Sequence, residues 1–158
     1  MMQFNTALAV AMVIGMVIGL VPQQVLAQES GAAPVSGGVQ LGRLLRDTNA
    51  VQFMERLLRL HSQLRRFAHR NPDGTLFALV HLSATEVHMY SATHSMLVSV
   101  MCGLAAREVL KWPEEREAQL CMAALTMNLG MTQLQDQLTR QLEAPTPAQR
   151  KIIDAHAT

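Results

Sequence analysis

With 158 residues, of which 49% are hydrophobic and 16% charged, the chain is long enough for one domain with a substantial core. Aromatic residues make up only 4% and there are 11 methionines, so the apolar content is mostly Leu, Ala and Met, which favour helices over strands. The formal net charge of +1 excludes a general electrostatic attraction to nucleic acid, and nucleic acid is not expected as a partner. The sequence therefore predicts an all-α protein.

The amino-terminal part of the chain is strongly apolar. Every residue from Ala7 to Val21 is Ala, Leu, Val, Met, Ile or Gly. Val25 and Ala27 are small residues at the spacing that signal peptidase recognises, so residues 1–27 are predicted to be a signal peptide that is cleaved near Ala27. A cleaved protein would be exported to the periplasm.

A membrane anchor is the alternative for this segment. Residues 4–21 carry no charge and are long enough to span a thinned bilayer. The first basic residue is Arg43, beyond the apolar run, and the positive-inside rule then favours an inner-membrane anchor with a cytoplasmic domain. Both interpretations place the protein in the cell envelope. A start that does not belong to the native protein is a third alternative.

A flexible linker is predicted over residues 28–41, because its run ESGAAPVSGG is small, polar and interrupted by Pro and Gly. A helical domain is expected to follow over 42–158. Its first long helix is predicted over 49–69, and later helices over 75–83, over 86–111 and from Pro113 and Pro147 onward. Trp112-Pro113 should separate two of them, while Thr146 and Gln149 have the spacing of a capping box.

The first long helix carries a basic stripe. Seven arginines and only two acidic residues lie between Arg43 and Arg70. Apolar residues recur at helical spacing from Phe53 to Phe67, and the face opposite them is basic. That face is either solvated or a contact for anionic lipid or an acidic partner. Its residues are Arg56, Arg59, Arg66 and Arg70.

The helix predicted over 86–111 contains a regular stripe that is expected to be buried and that includes a histidine. The stripe consists of Val87, Tyr90, His94, Leu97, Met101 and Leu104. Leu120, Ala124 and Met127 are expected to point inward from the following helix, which Gly130 should end. Cys102 and Cys121 lie in apolar stretches without Cys-x-x-Cys spacing, which favours buried free thiols over a disulfide.

Three separated motifs match a family pattern in order. His94-Ser95 lies on a helix, and the run AALTMNLGM over residues 123–131 corresponds to Ala-Ala-x-x-His-Asp-x-Gly-Lys. Asp136, Thr146 and His156 follow at matching spacing. Residues 79–158 thus resemble the HD superfamily of metal-dependent phosphohydrolases, and the HD-GYP branch in particular. The resemblance implies an HD-domain-like helical bundle that is truncated at its carboxyl end.

The resemblance also implies that the metal site is degenerate. In the family a two-metal Fe or Mn centre activates water against a phosphodiester, which requires the His-Asp pair. Met127 and Asn128 replace that pair, and Met131 replaces the Lys. No catalytic residue, bound metal or cofactor is therefore expected. The positions that correspond to the family's site are His94, Met127, Asn128, Gly130, Met131, Asp136 and His156.

Three hypotheses for function follow. The first is a non-catalytic HD-like signalling or scaffold module, linked to cyclic-di-GMP only through the resemblance. The second is a metal-dependent phosphohydrolase with an altered site that uses His94, Asn128, Asp136 and His156. The third is a membrane-proximal module that binds anionic lipid or protein through the basic stripe. A protein partner or a homodimer is expected, because a shortened HD-type core would leave apolar surface open.

Overall fold

The computed structural model describes residues 32–48, 52–85 and 87–156, and all regular secondary structure in these ranges is helical. The all-α prediction is confirmed. The predicted signal peptide, the membrane segment 4–21 and residues 28–31 of the predicted linker lie outside the described residues. Among the helices that are described, none combines the length and the apolar character needed to cross a membrane.

The described helices follow one another with short connections. In chain order they are α1 (Ala32–Arg46), α2 (Phe53–Arg70), α3 (Pro72–Thr85), α4 (Tyr90–Leu104), α5 (Glu114–Thr126), α6 (Thr132–Leu138) and α7 (Pro147–Ala155). A 3₁₀ turn (Val87–Met89) precedes α4, a π-helical turn (Ala105–Val109) follows it, and a second 3₁₀ turn (Leu129–Met131) joins α5 to α6.

Helix α4 lies at the centre of this arrangement, and α1, α2, α3, α5 and α6 all pack against it. The core is built from leucines of the first three helices and from smaller side chains of α4. Its buried members are Leu41, Leu44, Leu45, Leu57, Leu64, Ala68, Leu79, Ala92, Met96, Val100 and Leu125.

Helix α1 occupies most of the sequence that predicts a linker over 28–41, so the structure differs from that interpretation. The glycines that suggest flexibility form a contact face instead. A Cβ added to Gly38 would lie 3.5 Å from Thr93 Cγ2, and one added to Gly42 would lie 3.7 Å from Ala92 Cβ. Glycines four apart share one face of a helix and let it approach another helix closely. Burial of the leucines of α1 offsets the low helix propensity of its glycines.

The buried residues of α4 also differ from the predicted stripe. Besides Ala92, Met96 and Val100 in the core, they include a row of small residues four apart, which are Ser91, Ser95, Ser99 and Gly103. They let α5 come close: Ser99 Oγ donates to the Cys121 carbonyl at 2.9 Å, and a Cβ on Gly103 would lie 2.8 Å from Cys121 Sγ. His94, on the predicted stripe, is only half-buried. A stripe identified by hydrophobic periodicity consists of large apolar side chains, whereas close contact between two helices requires small ones.

Several helix boundaries follow from local chemistry. The capping box is confirmed: Thr146 Oγ1 accepts from the Gln149 amide at 3.3 Å and Gln149 Oε1 accepts from the Thr146 amide at 2.8 Å. The break at Trp112-Pro113 is confirmed as well, because α5 begins at Glu114. Helix α3 begins three residues before Thr75, and Asn71 Oδ1 accepts from the Gly74 amide at 3.0 Å.

Gly130 has a different role from the predicted helix stop. Helix α5 already ends at Thr126, and Gly130 lies in the following 3₁₀ turn without a positive φ. The end of α7 crosses it closely, since a Cβ on Gly130 would lie 3.2 Å from the His156 carbonyl oxygen. A side chain at this position would require the backbone at His156 to shift by a few tenths of an ångström.

Candidate functional site

The two histidines of the HD-like pattern have separate environments. His94 stacks on Tyr90, one turn earlier in α4, with ring centroids 5.2 Å apart. Burial lowers the pKa of His94, because the charged imidazolium is less well solvated there. His156 follows α7, and its Nδ1 donates to the Ile153 carbonyl. Each of these contacts is with a residue about one turn earlier in the chain.

The positions that correspond to the His-Asp pair belong to the turn after α5. Met127 and Met131 are half-buried, and Asn128 is buried. The Asn128 carbonyl accepts from the Met131 amide at 3.0 Å and from Thr132 Oγ1 at 3.0 Å, which closes the turn. No group of three or more His, Cys, Asp and Glu side chains within the described ranges is arranged to hold a metal ion.

Asp136 is buried and fully engaged. Its Oδ2 accepts from Arg46 Nη2 at 2.6 Å, and its Oδ1 accepts from the Ser91 amide at 2.9 Å in the first turn of α4. A carboxylate in this position stabilises a helix, since it satisfies a free amide and faces the positive end of the helix dipole. Asp136 therefore ties α1 and α6 to the start of the central helix.

A second buried carboxylate, Glu117 of α5, was not expected from the sequence. Its Oε1 lies 3.5 Å from His69 Nε2, 3.7 Å from Arg65 Nε and 3.8 Å from Arg107 Nη1. These distances exceed those of strong charge-assisted hydrogen bonds. The sequence does contain a signal for its burial, because Glu117 precedes Cys121 by four residues on the inward face of α5.

The surroundings of Glu117 are better suited to structure than to catalysis. The cavity beside it has a volume of about 10 Å³, which is at the lower limit for one water molecule. Burial, with Glu117 nearby, raises the pKa of the Cys121 thiol to about 11, so this thiol is a poor nucleophile. Burial and the neighbouring Arg65 lower the pKa of His61, which favours its neutral form.

The predicted basic stripe lies on the outer face of α2. This helix buries Leu57, His61, Leu64 and Ala68 on one side. Arg59 forms an ion pair with Glu55 at 2.7 Å. Arg56, Arg66 and Arg70 are exposed, and within the described part of the chain none of the three has a carboxylate at ion-pair distance.

Over the residues that the structure describes, the chain is all-helical, with buried carboxylates at Glu117 and Asp136 and a basic outer face on α2. Comparison of the chain with protein-family models, with curated proteins and with solved structures finds no match.

Proposed function

We propose that this chain is a non-catalytic, HD-like helical module that works in signalling or scaffolding at the cell envelope by binding other molecules. The observation that carries this proposal is the engagement of Asp136. In the HD-like alignment this is the carboxylate that remains, yet both of its oxygens already accept hydrogen bonds, from Arg46 and from the Ser91 amide.

A carboxylate in this state is a poor metal ligand. The Arg46 cation lies 2.6 Å from Oδ2, where it neutralises the charge that would attract a metal ion and repels the ion itself. The Met127 thioether is too soft a ligand for the ions used in phosphoester chemistry, and Asn128 is neutral. The proposal therefore includes loss of the two-metal Fe or Mn site.

An exposed apolar face on α3 supports the proposal that the chain binds a protein partner. A second copy of the chain is the first candidate for this partner. Helix α3 is apolar nearly all round, with Asp73 its only acidic residue, yet Phe77 and Val80 on its outer side are each 43% exposed. A helix with this composition is usually covered on all sides. The link to cyclic-di-GMP stays a proposal that rests on the HD-GYP resemblance.

The test of the non-catalytic role is a metal analysis of the purified full chain, combined with a cyclic-di-GMP hydrolysis assay in the presence of Mn²⁺. We expect no stoichiometric Fe or Mn and no hydrolysis. Two bound metal equivalents with hydrolysis that His94→Ala abolishes would instead establish an altered phosphohydrolase.

The HD-like label has a separate test. Met127→His combined with Asn128→Asp should recover part of a metal site if the turn after α5 has the family geometry. Failure of this variant to bind metal, with a circular dichroism spectrum like that of the wild type, would contradict the label but leave the non-catalytic role intact.

Size-exclusion chromatography of the full chain with light-scattering detection tests homodimer formation. We expect a dimer that Phe77→Ser with Val80→Ser dissociates. Leu142→Ser is the matched control, because this residue is 97% exposed and lies outside α3. A wild-type monomer at every concentration would contradict the homodimer.

A further inference from the structure

The outer face of α2 carries a row of cationic side chains. Arg56, Arg59, Arg66 and Arg70, with Gln63 at the middle, are spaced by three, four, three and four residues, which places them in one row along the helix. At a rise of 1.5 Å per residue, the row is about 21 Å long. A straight row of this length matches a flat surface better than a small ligand.

The charges of this row are available to a partner. The basic residues that turn inward, Arg46 and Arg65, contact Asp136 and Glu117 or Glu114. Three of the four outward arginines have no carboxylate neighbour among the described residues, as shown above. Within the described ranges these three charges are therefore exposed to solvent and salt and not paired with a carboxylate.

An apolar side chain accompanies the row. Phe67 precedes Arg70 by three residues, so the two are neighbours on the helix surface, and Phe67 is 45% exposed. Arginines beside a partly exposed phenylalanine fit an interface that offers phosphates and, just below them, hydrocarbon.

We propose that the outer face of α2 docks on an anionic membrane surface, with the arginines at the lipid phosphates and Phe67 directed toward the acyl boundary. Charge complementarity is the first argument, because each arginine close to such a surface contributes favourably to binding. The second is chain geometry. The apolar run from Ala7 to Val21 is predicted to enter a membrane, and α1, which begins at Ala32, packs directly on α2.

This docking differs from the proposed protein contact on α3 and does not depend on the HD-like label. It also differs from membrane insertion of the apolar run, which responds little to lipid charge. The quantity that separates the two is the ratio between binding to anionic vesicles and binding to neutral vesicles.

The experiment measures partition of the full chain onto vesicles of phosphatidylcholine alone and of phosphatidylcholine with phosphatidylglycerol, at two salt concentrations. The triple variant Arg56→Gln, Arg66→Gln and Arg70→Gln is compared with the wild type. We expect the anionic-to-neutral ratio to fall by about a hundredfold at low salt, given the typical contribution of each arginine at a lipid surface. High salt should reduce the wild-type ratio toward that of the variant.

A charge-matched control removes the same number of positive charges elsewhere, by Arg43→Gln, Arg150→Gln and Lys151→Gln, at three exposed positions outside α2. This control should retain most of the wild-type ratio. Equal losses in the two triple variants would overturn the proposal, since they would show a response to net charge alone. Binding to an acidic polypeptide that depends on the α2 arginines, without any dependence on lipid charge, would also overturn it.

Discussion

Replacement of Asp136 by alanine should destabilise the domain strongly, because this carboxylate connects three helices. Its side chain is 7% exposed, and it accepts from Arg46 Nη2 at 2.6 Å and from the Ser91 amide at 2.9 Å. A hydrogen bond to a charged group contributes about 1.5–3 kcal/mol. The Arg46 side chain is 40% exposed and can be rehydrated, so its share is well below the value for a fully buried pair.

The expected cost of Asp136→Ala is therefore about 3 kcal/mol in the free energy of unfolding. Asp136→Asn retains an oxygen that can accept from the Ser91 amide but loses the charge, and we expect it to cost about 1–2 kcal/mol. Denaturant unfolding followed by far-ultraviolet circular dichroism measures both values. A double-mutant cycle with Arg46→Ala should give a coupling of about 1 kcal/mol.

Two results would refute this reasoning. A cost of Asp136→Ala below about 0.5 kcal/mol, the range of ordinary surface substitutions, would show that the anchor contributes little. Stabilisation of the wild type by Mn²⁺, lost in Asp136→Asn, would show that the carboxylate binds metal instead of Arg46.

Further predictions concern packing and titration. Gly103→Ala should lower the free energy of unfolding by about 1–3 kcal/mol, because its Cβ would lie 2.8 Å from Cys121 Sγ. Gly42→Ala, with its nearest contact at 3.7 Å, should raise it by about 0.5–1 kcal/mol, and the same sign for both variants in denaturant unfolding would contradict this packing. Folding lowers the pKa of His61 from 6.5, so the unfolded chain binds more protons than the folded chain at low pH. The contribution of His61 to the free energy of unfolding should therefore be fully present above pH 6.5 and should fall as the pH drops below it. His61→Leu should make the free energy of unfolding less dependent on pH in this range. With a pKa of about 11 against a usual 9.0, Cys121 should react with iodoacetamide about a hundredfold more slowly in the folded than in the unfolded protein at mildly alkaline pH, and equal rates would be inconsistent with its burial.

The helix boundaries that depend on adjacent residues could be predicted from the sequence. The Thr146–Gln149 capping box and the break at Trp112-Pro113 are both confirmed, because each is fixed by chemistry within four residues. Helix α1 could not be predicted, since its Gly-rich start has low helix propensity and is stabilised by packing on Ala92 and Thr93.

The environments of the site residues were less predictable than their positions on helices. The stripe that contains His94 follows hydrophobic periodicity, but the face of α4 against α5 is selected by the small size of its residues, including Ser99 and Gly103. Glu117 was expected in the first turn of a helix and does lie there, yet its burial depends on cations from α2 and from the turn after α4. The spacing from Cys121 indicates the inward side of the helix, but it does not indicate which distant cations compensate the Glu117 charge.

Contacts with distant carboxylates also divide the arginines in the first half of the chain into two groups. The sequence predicts a local excess of positive charge between residues 43 and 70 and, within it, the outward stripe of α2. It does not predict the partners of the other arginines. In the structure, Arg46 and Arg65 contact carboxylates that follow much later in the chain, on α6 and α5. Arg56, Arg66 and Arg70 face outward because they lie opposite the buried side of α2. Helical spacing therefore determines which arginines a partner can contact, and the acidic residues of the second half determine which arginines connect helices.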